Sequence, residues 1–156
     1  MGRLQQHIRG GFFHDEGAWS SLEAMVIPEV FAAAEPGASV WVWVVGCNYC
    51  EIAYSIAILL CEYIERHDQT ARARIFATDE DEDAIIIARR GRYPAMVADE
   101  IGPVRLNRFF TVDQQEVVIK QEVRDMLLFA LNFIAWDVSQ CLNRSKFNRF
   151  SIALHG

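Results

Sequence analysis

The apolar positions change period several times along the chain, and each change marks an element. Over residues 17–34, Trp19, Leu22, Val26, Ile27, Val30 and Phe31 recur at helical spacing. Pro28 sits in the middle, where a helix interior needs the amide hydrogen that proline lacks, so the spacing predicts a helix in two pieces. Glu35-Pro36-Gly37 signals a turn. Residues 40–45 are a continuous apolar run of β-branched and aromatic residues, which suits a strand buried on both faces of a parallel sheet. The run stops at Gly46, and Ile52, Ile56, Leu59, Leu60 and Tyr63 then form the apolar stripe of a helix over about 51–66. Residues 74–78 predict a second strand and 81–90 a second helix, with Gly91 as its stop. Beyond Tyr93-Pro94 the pattern predicts a short helix around 103–110 and strands at 116–120, 126–131 and 150–154. Strands alternating with helices through the middle predict a doubly wound α/β sheet. Residues 1–11 read as a tail or linker, which leaves a single domain over 12–156.

Composition supports one core. The chain has 156 residues, of which 52% are apolar and 23% charged, so it can bury an interior and is unlike a disordered segment. The formal net charge of −6, with no basic run beyond Arg89-Arg90, argues against a nucleic-acid partner, because phosphates call for a basic face. The polar start of the chain holds no secretory signal, and the longest apolar stretches fall short of the roughly 20 residues a bilayer needs. Four cysteines in a chain of this size do not make a disulfide scaffold, and a reducing, cytoplasmic setting is expected.

Three features carry candidate chemistry. The turn after the first strand begins at Gly46, at the carboxyl end where open α/β sheets bind ligands, and glycine lets the backbone approach one closely. An ordinary strand-to-helix turn would use the same residue. Asp79 ends the second strand, where a carboxylate can accept two hydrogen bonds from a ribose diol. It could equally open an acidic helix cap with Glu80, Asp81, Glu82 and Asp83. Cys47-Asn48-Tyr49-Cys50 is a C-x-x-C at a helix start, either a redox pair or two small core residues. No second C-x-x-C completes a structural zinc site, so Cys61 and Cys141 are expected in the core and no metal is expected. A glycine turn, a helix, a strand and an acidic end describe a nucleoside-binding domain. The glycines that seat a pyrophosphate are missing, which disfavours a dinucleotide.

Several motifs, in order, resemble a known family. Val42-Trp43-Val44-Val45-Gly46-Cys47, then Glu51 and Ala53-Tyr54-Ser55-Ile56-Ala57, is similar to the pattern G-C-S-T-G-E-E-x-Y-S-I-A of CheR-type glutamate methyltransferases. Ile75-Phe76-Ala77-Thr78-Asp79, followed by Ala88-Arg89-Arg90-Gly91-Arg92-Tyr93-Pro94, resembles F-A-T-D-I-D and A-R-x-G-x-Y. Arg105-Leu106-Asn107-Arg108-Phe109-Phe110 resembles R-L-x-R-F-F, and the stretches 118–125 and 129–133 resemble the V-x-x-x-L-R-D and F-A-x-H-N-L segments. Phe12-Phe13 resembles the opening F-F-R-D. The likeness spans about 12–133.

The resemblance implies a class I methyltransferase-like (Rossmann-like) fold that binds S-adenosylmethionine as methyl donor. It implies methyl transfer to glutamate side chains of the cytoplasmic domain of chemoreceptors, with those receptors or related signalling proteins as partners and no membrane insertion. It also implies cofactor contacts from His14, Gly46, Cys47, Glu51, Asp79, Asn132 and Phe133; no catalytic residue is assigned. The pattern is departed from at His14, which stands for its arginine, at Cys50, which stands for its second glycine, and at Leu131, which stands for its histidine. The segment F-D-L-I-x-C-R-N-V-L-I-Y-F has no counterpart, so the sheet is expected to be incomplete at its C-terminal strands, with 147–154 as a remnant strand and an open edge. These departures leave two readings, a methyltransferase or a non-catalytic cofactor-binding or protein-interaction module. A thiol redox protein built on Cys47 and Cys50 is the third.

Overall fold

The computed structural model describes residues 11–35, 37–67, 71–131 and 151–155. The predicted tail over 1–10 lies outside them, while Gly11 is buried, and a Cβ there would meet the Glu100 carboxylate.

The first helical region is one continuous rod in three pieces: α1 (Glu16–Ser21), a π-helical turn (Leu22–Val26) and α2 (Ile27–Ala33). Asp15 caps it by accepting the Ala18 amide at 3.1 Å. Pro28 does not break the rod, as its position had suggested. It falls in the first turn of α2, and the π turn ahead of it closes with the Ile27 amide on the Leu22 carbonyl.

The main sheet holds β1 (Ser39–Val45), β2 (Arg72–Asp79), β6 (Leu127–Leu131) and β7 (Ser151–His155), all parallel, in the order β6-β2-β1-β7. In β1 the continuous apolar run has Val40, Val42, Trp43 and Val44 buried, because helices and neighbouring strands cover it. Helix α3 (Glu51–His67) connects β1 to β2, and α4 (Glu82–Arg90) connects β2 toward β6. Both pack on β2 and β6. The first part of α3 is buried nearly all round, through Ala53, Tyr54, Ile56, Ala57, Ile58, Leu59 and Leu60. Gly91 ends α4 in the left-handed conformation at φ 59°, as its position predicts.

The chain moves outward from β1 to β2 to β6, then returns to the opposite side of β1 with β7. The order therefore reverses at β1, which puts the topological switch point at its carboxyl end, beside Gly46. This is the predicted doubly wound arrangement, in partial form. The strand predicted at 150–154 is β7.

The strand predicted at 116–120 has a different place. It is β5 (Glu116–Ile119), at the centre of a separate antiparallel sheet between β3 (Arg92–Pro94) and β4 (Phe110–Val112). The short helices α5 (Ala98–Ile101), α6 (Pro103–Phe109) and α7 (Gln121–Arg124) complete this region. Phe12 joins it to the core. Its ring meets Tyr93 edge-on at 5.0 Å and Phe110 at 5.6 Å, all three buried.

Candidate functional site

The carboxyl ends of β1 and β2 lie side by side, since Val45 pairs with Thr78. The loop that leaves β1 is therefore held against the end of β2. The Cys47 amide donates to the Thr78 carbonyl at 3.0 Å. Next to it, the Asn48 amide donates to Asp79 Oδ2 at 2.6 Å, and the Asp81 amide donates to Asp79 Oδ1 at 2.9 Å. Beneath them Trp43 Nε1 donates to Thr78 Oγ1 at 3.0 Å in a buried pair.

These bonds set Asp79 apart from the cap of the following helix. The cap of α4 is Asp81, whose side chain accepts the amides of Asp83 and Ala84. Asp79 instead ties the glycine loop to the start of that cap. An ionised carboxylate has about four acceptor positions, so two remain on Asp79 after both backbone bonds.

The loop itself is unusual in backbone. Gly46, Asn48 and Cys50 all have positive φ, at 65°, 51° and 63°. Glycine adopts this conformation without the penalty that a Cβ carries, and a Cβ built at Gly46 would meet nothing within 4 Å, so open space borders the loop. Tyr93 holds the far side, where its hydroxyl donates to the Tyr49 carbonyl at 2.6 Å inside the core.

Glu51 opens α3 directly after the loop and is only 7% exposed. Burial pushes its carboxyl above the ordinary value of 4.5; its own backbone amide opposes this, and the nearby Glu100 adds to it. Cys47 and Cys50 are both buried, as expected of small core residues, and they are joined by a disulfide. The bridge is local and does not make a scaffold. Cys61 is a free, partly buried cysteine.

The structure thus brings the loop from Gly46 through Cys47 against Asp79 at the strand ends, with Glu51 buried at the start of α3 just after the loop. His14 is exposed, two residues beyond the buried Phe12 and next to Phe13, which has φ 52° and lies under the Arg105 guanidinium at 4.2 Å. Asn132, Phe133 and Cys141 lie outside the described residues. Sequence reasoning missed Asn48, Thr78, Tyr93 and Glu100, which shape the cleft through the contacts above. Asn48, Thr78 and Tyr93 sit inside motifs quoted above, and Glu100 carried no signal.

A larger concavity of about 780 Å³ opens elsewhere, between the end of α4 and the small sheet. Two of its charges, Arg92 and Glu116, are paired at 2.7 Å. It lies away from the strand ends, where the backbone amides and carboxylates converge, so the strand ends are the better candidate.

Comparison with known proteins identifies the family. The family model described as CheR methyltransferase, SAM binding domain, matches residues 9–143. The chain belongs to the CheR methyltransferase family. S-adenosylmethionine is the methyl donor of that domain. An uncharacterized 104.1 kDa protein in the hypE 3' region of Rhodobacter capsulatus is 31% identical over 139 residues, 85% of this chain and 15% of that protein. The chemotaxis protein methyltransferase of Borreliella burgdorferi is 28% identical over 85 residues, 53% of this chain and 30% of that protein. The aligned regions therefore span less than a third of either relative. Among the described residues, no helix is long and apolar enough to cross a membrane.

The described residues of this CheR-family chain fit the adenosyl group. Asp79 retains two acceptor positions for a ribose diol, Gly46 leaves room beside the loop, and the site offers no glycine-rich pyrophosphate cradle, which this ligand does not need.

Proposed function

We propose that this chain binds S-adenosylmethionine across the carboxyl ends of β1 and β2 and acts as the cofactor domain of a protein-glutamate methyltransferase. The acceptor would be a glutamate side chain on the cytoplasmic domain of a chemoreceptor, the product a glutamyl methyl ester and the setting the cytoplasm. The observation that supports this reading is the 2.6 Å bond from Asn48 in the glycine loop to Asp79. It joins two motifs 31 residues apart at the carboxyl ends of β1 and β2.

When bound, the cofactor supplies an activated methyl group on a sulfonium, which is already a good leaving group. The residues need only hold and orient. Asp79 accepts the ribose hydroxyls, Gly46 admits the ligand close to the backbone, and Glu51 offers a desolvated carboxyl at the start of α3. His14, Asn132 and Phe133 are assigned to the same cofactor by resemblance.

A non-catalytic cofactor-binding module is the second reading. It is favoured by Leu131, 36% exposed at the end of β6 where the family pattern has histidine. One experiment separates them. The chain is incubated with methyl-labelled S-adenosylmethionine and a receptor cytoplasmic fragment, and base-labile label is counted. Label on the fragment supports transfer. Binding of S-adenosylhomocysteine without transfer supports the module. Absence of binding at millimolar ligand contradicts both.

A further inference from the structure

The disulfide in the cofactor loop is not used by the reading above, and its position gives it a task. Cys50 has a left-handed backbone, φ 63°. For a residue with a Cβ that conformation carries a penalty equivalent to about 5- to 30-fold in population. Asn48, two residues earlier, is left-handed as well. Its amide is the donor to Asp79, so the cleft exists only while this loop keeps its shape. The bridge spans the same turn. Its Cα atoms are 4.7 Å apart, and the Cys50 amide donates to the Cys47 carbonyl at 2.7 Å. Asn48 is exposed, while both cysteines are buried.

We propose that Cys47 and Cys50 form a thiol–disulfide switch for cofactor binding, in which the disulfide holds the loop in its binding shape and reduction loosens it. The proposal rests on the cofactor assignment above. The covalent bridge takes the place of the conformational freedom that a glycine at position 50 would have. A loop already fixed in its bound form loses less entropy when the ligand arrives.

The chemistry requires a dithiol reductant. A thiolate of the reductant attacks one cysteine sulfur, the Cys47–Cys50 bond breaks, and the freed cysteine takes up a proton. The second thiol of the reductant resolves the mixed disulfide. Two electrons and two protons end on Cys47 and Cys50, and the reductant leaves as its own disulfide. Cys61 does not compete, because burial, reinforced by Glu65, pushes its thiol up to about 12. In a reducing compartment a bridge between residues three apart is of the transient, sensing kind.

The test titrates S-adenosylhomocysteine calorimetrically into the oxidised chain and into the chain held in dithiothreitol, with alkylation and mass spectrometry reporting the state of each cysteine. The oxidised form is expected to bind about 5- to 30-fold more tightly. By reciprocity, saturating ligand is expected to shift the disulfide's reduction equilibrium by the same factor. Cys50→Gly cannot form the bridge but adopts the left-handed turn freely, so it is expected to bind like the oxidised chain in both conditions. Equal affinity of the oxidised and reduced wild-type chains overturns the switch and leaves the cofactor assignment standing. Failure of the two cysteines to bond under a disulfide oxidant overturns it as well. A Cys50→Gly variant that binds as weakly as the reduced chain contradicts the role given to the backbone. No binding in any form removes the cofactor assignment and the switch together. Hydrogen exchange at the Asn48 and Cys50 amides, measured without ligand, is expected to be slower in the oxidised chain, and equal rates count against the switch.

Discussion

Replacing Asp79 with asparagine is the perturbation that reaches furthest into this account. The side chain keeps its shape but loses its charge and exchanges one acceptor oxygen for a donor. Both oxygens are occupied, one by the Asn48 amide at 2.6 Å and the other by the Asp81 amide at 2.9 Å. Whichever way the new amide turns, one backbone donor faces its nitrogen and goes unpaired, while the other keeps only a neutral partner. A hydrogen bond to a charged group contributes about 1.5–3 kcal/mol and a neutral one about 1 kcal/mol. Asp79 is half-buried and water softens the loss, so about 2 kcal/mol of stability is expected to go. In urea this is a fall in midpoint of about 1 M, for a typical slope of about 2 kcal/mol/M. Trp43 is a suitable reporter, being buried and hydrogen-bonded to Thr78 beside the site. The same change removes one acceptor from a ribose diol, about 1.5–3 kcal/mol, or about 10- to 150-fold in affinity for S-adenosylhomocysteine by calorimetry. Lower stability with unchanged affinity would reduce Asp79 to a staple of the loop and refute its assignment to the ribose. Absence of both effects would refute the geometry itself.

Three further outcomes follow from other parts of the molecule. Tyr93→Phe leaves the buried Tyr49 carbonyl without its 2.6 Å donor and is expected to lower stability by about 1–3 kcal/mol, measured by urea unfolding. Gly91→Ala forces a Cβ into a left-handed turn at φ 59° and to 3.1 Å from Arg124 Cδ, so it is expected to cost about 1–2 kcal/mol in the same assay. Glu51 has a folded pKa raised above its unfolded value, chiefly by burial, so the folded state binds the proton more tightly. Its ionisation therefore subtracts stability as pH rises from about 4.5 through the folded pKa, and below 4.5 the penalty is absent. Glu51→Gln is expected to raise the melting temperature at neutral pH and to flatten that part of the pH profile. An unchanged profile would show that Glu51 is not the group responsible.

The main sheet was legible because its signals are local. The unbroken run Val40–Val45 and the stripe from Ile52 to Tyr63 each exceed what a loop or a solvated helix would carry, and both elements formed within a residue or so of expectation. The small sheet was not legible as a sheet. Its outer strands are three residues each, too short for a period, and β3 contains Pro94, which argues against a strand on sequence grounds. Pro28 misled because a π turn supplied a solution that spacing alone does not show. At the site, residue types marked Gly46 and Asp79, but the bond that joins them runs through the backbone of Asn48, and backbone donors leave no trace in composition. The left-handed turn at Cys50 was foreseeable only as a consequence of aligning it with a glycine.

The central claim is that the cofactor cleft lies between the loop at 46–50 and the end of β2. Amide chemical shifts of the isotope-labelled chain, followed during titration with S-adenosylhomocysteine, test it directly. The account expects the largest changes at Gly46, Asn48, Asp79 and Asp81, saturating together. Changes confined to the concavity around Arg92 and Glu116, or no changes at millimolar ligand, would contradict it.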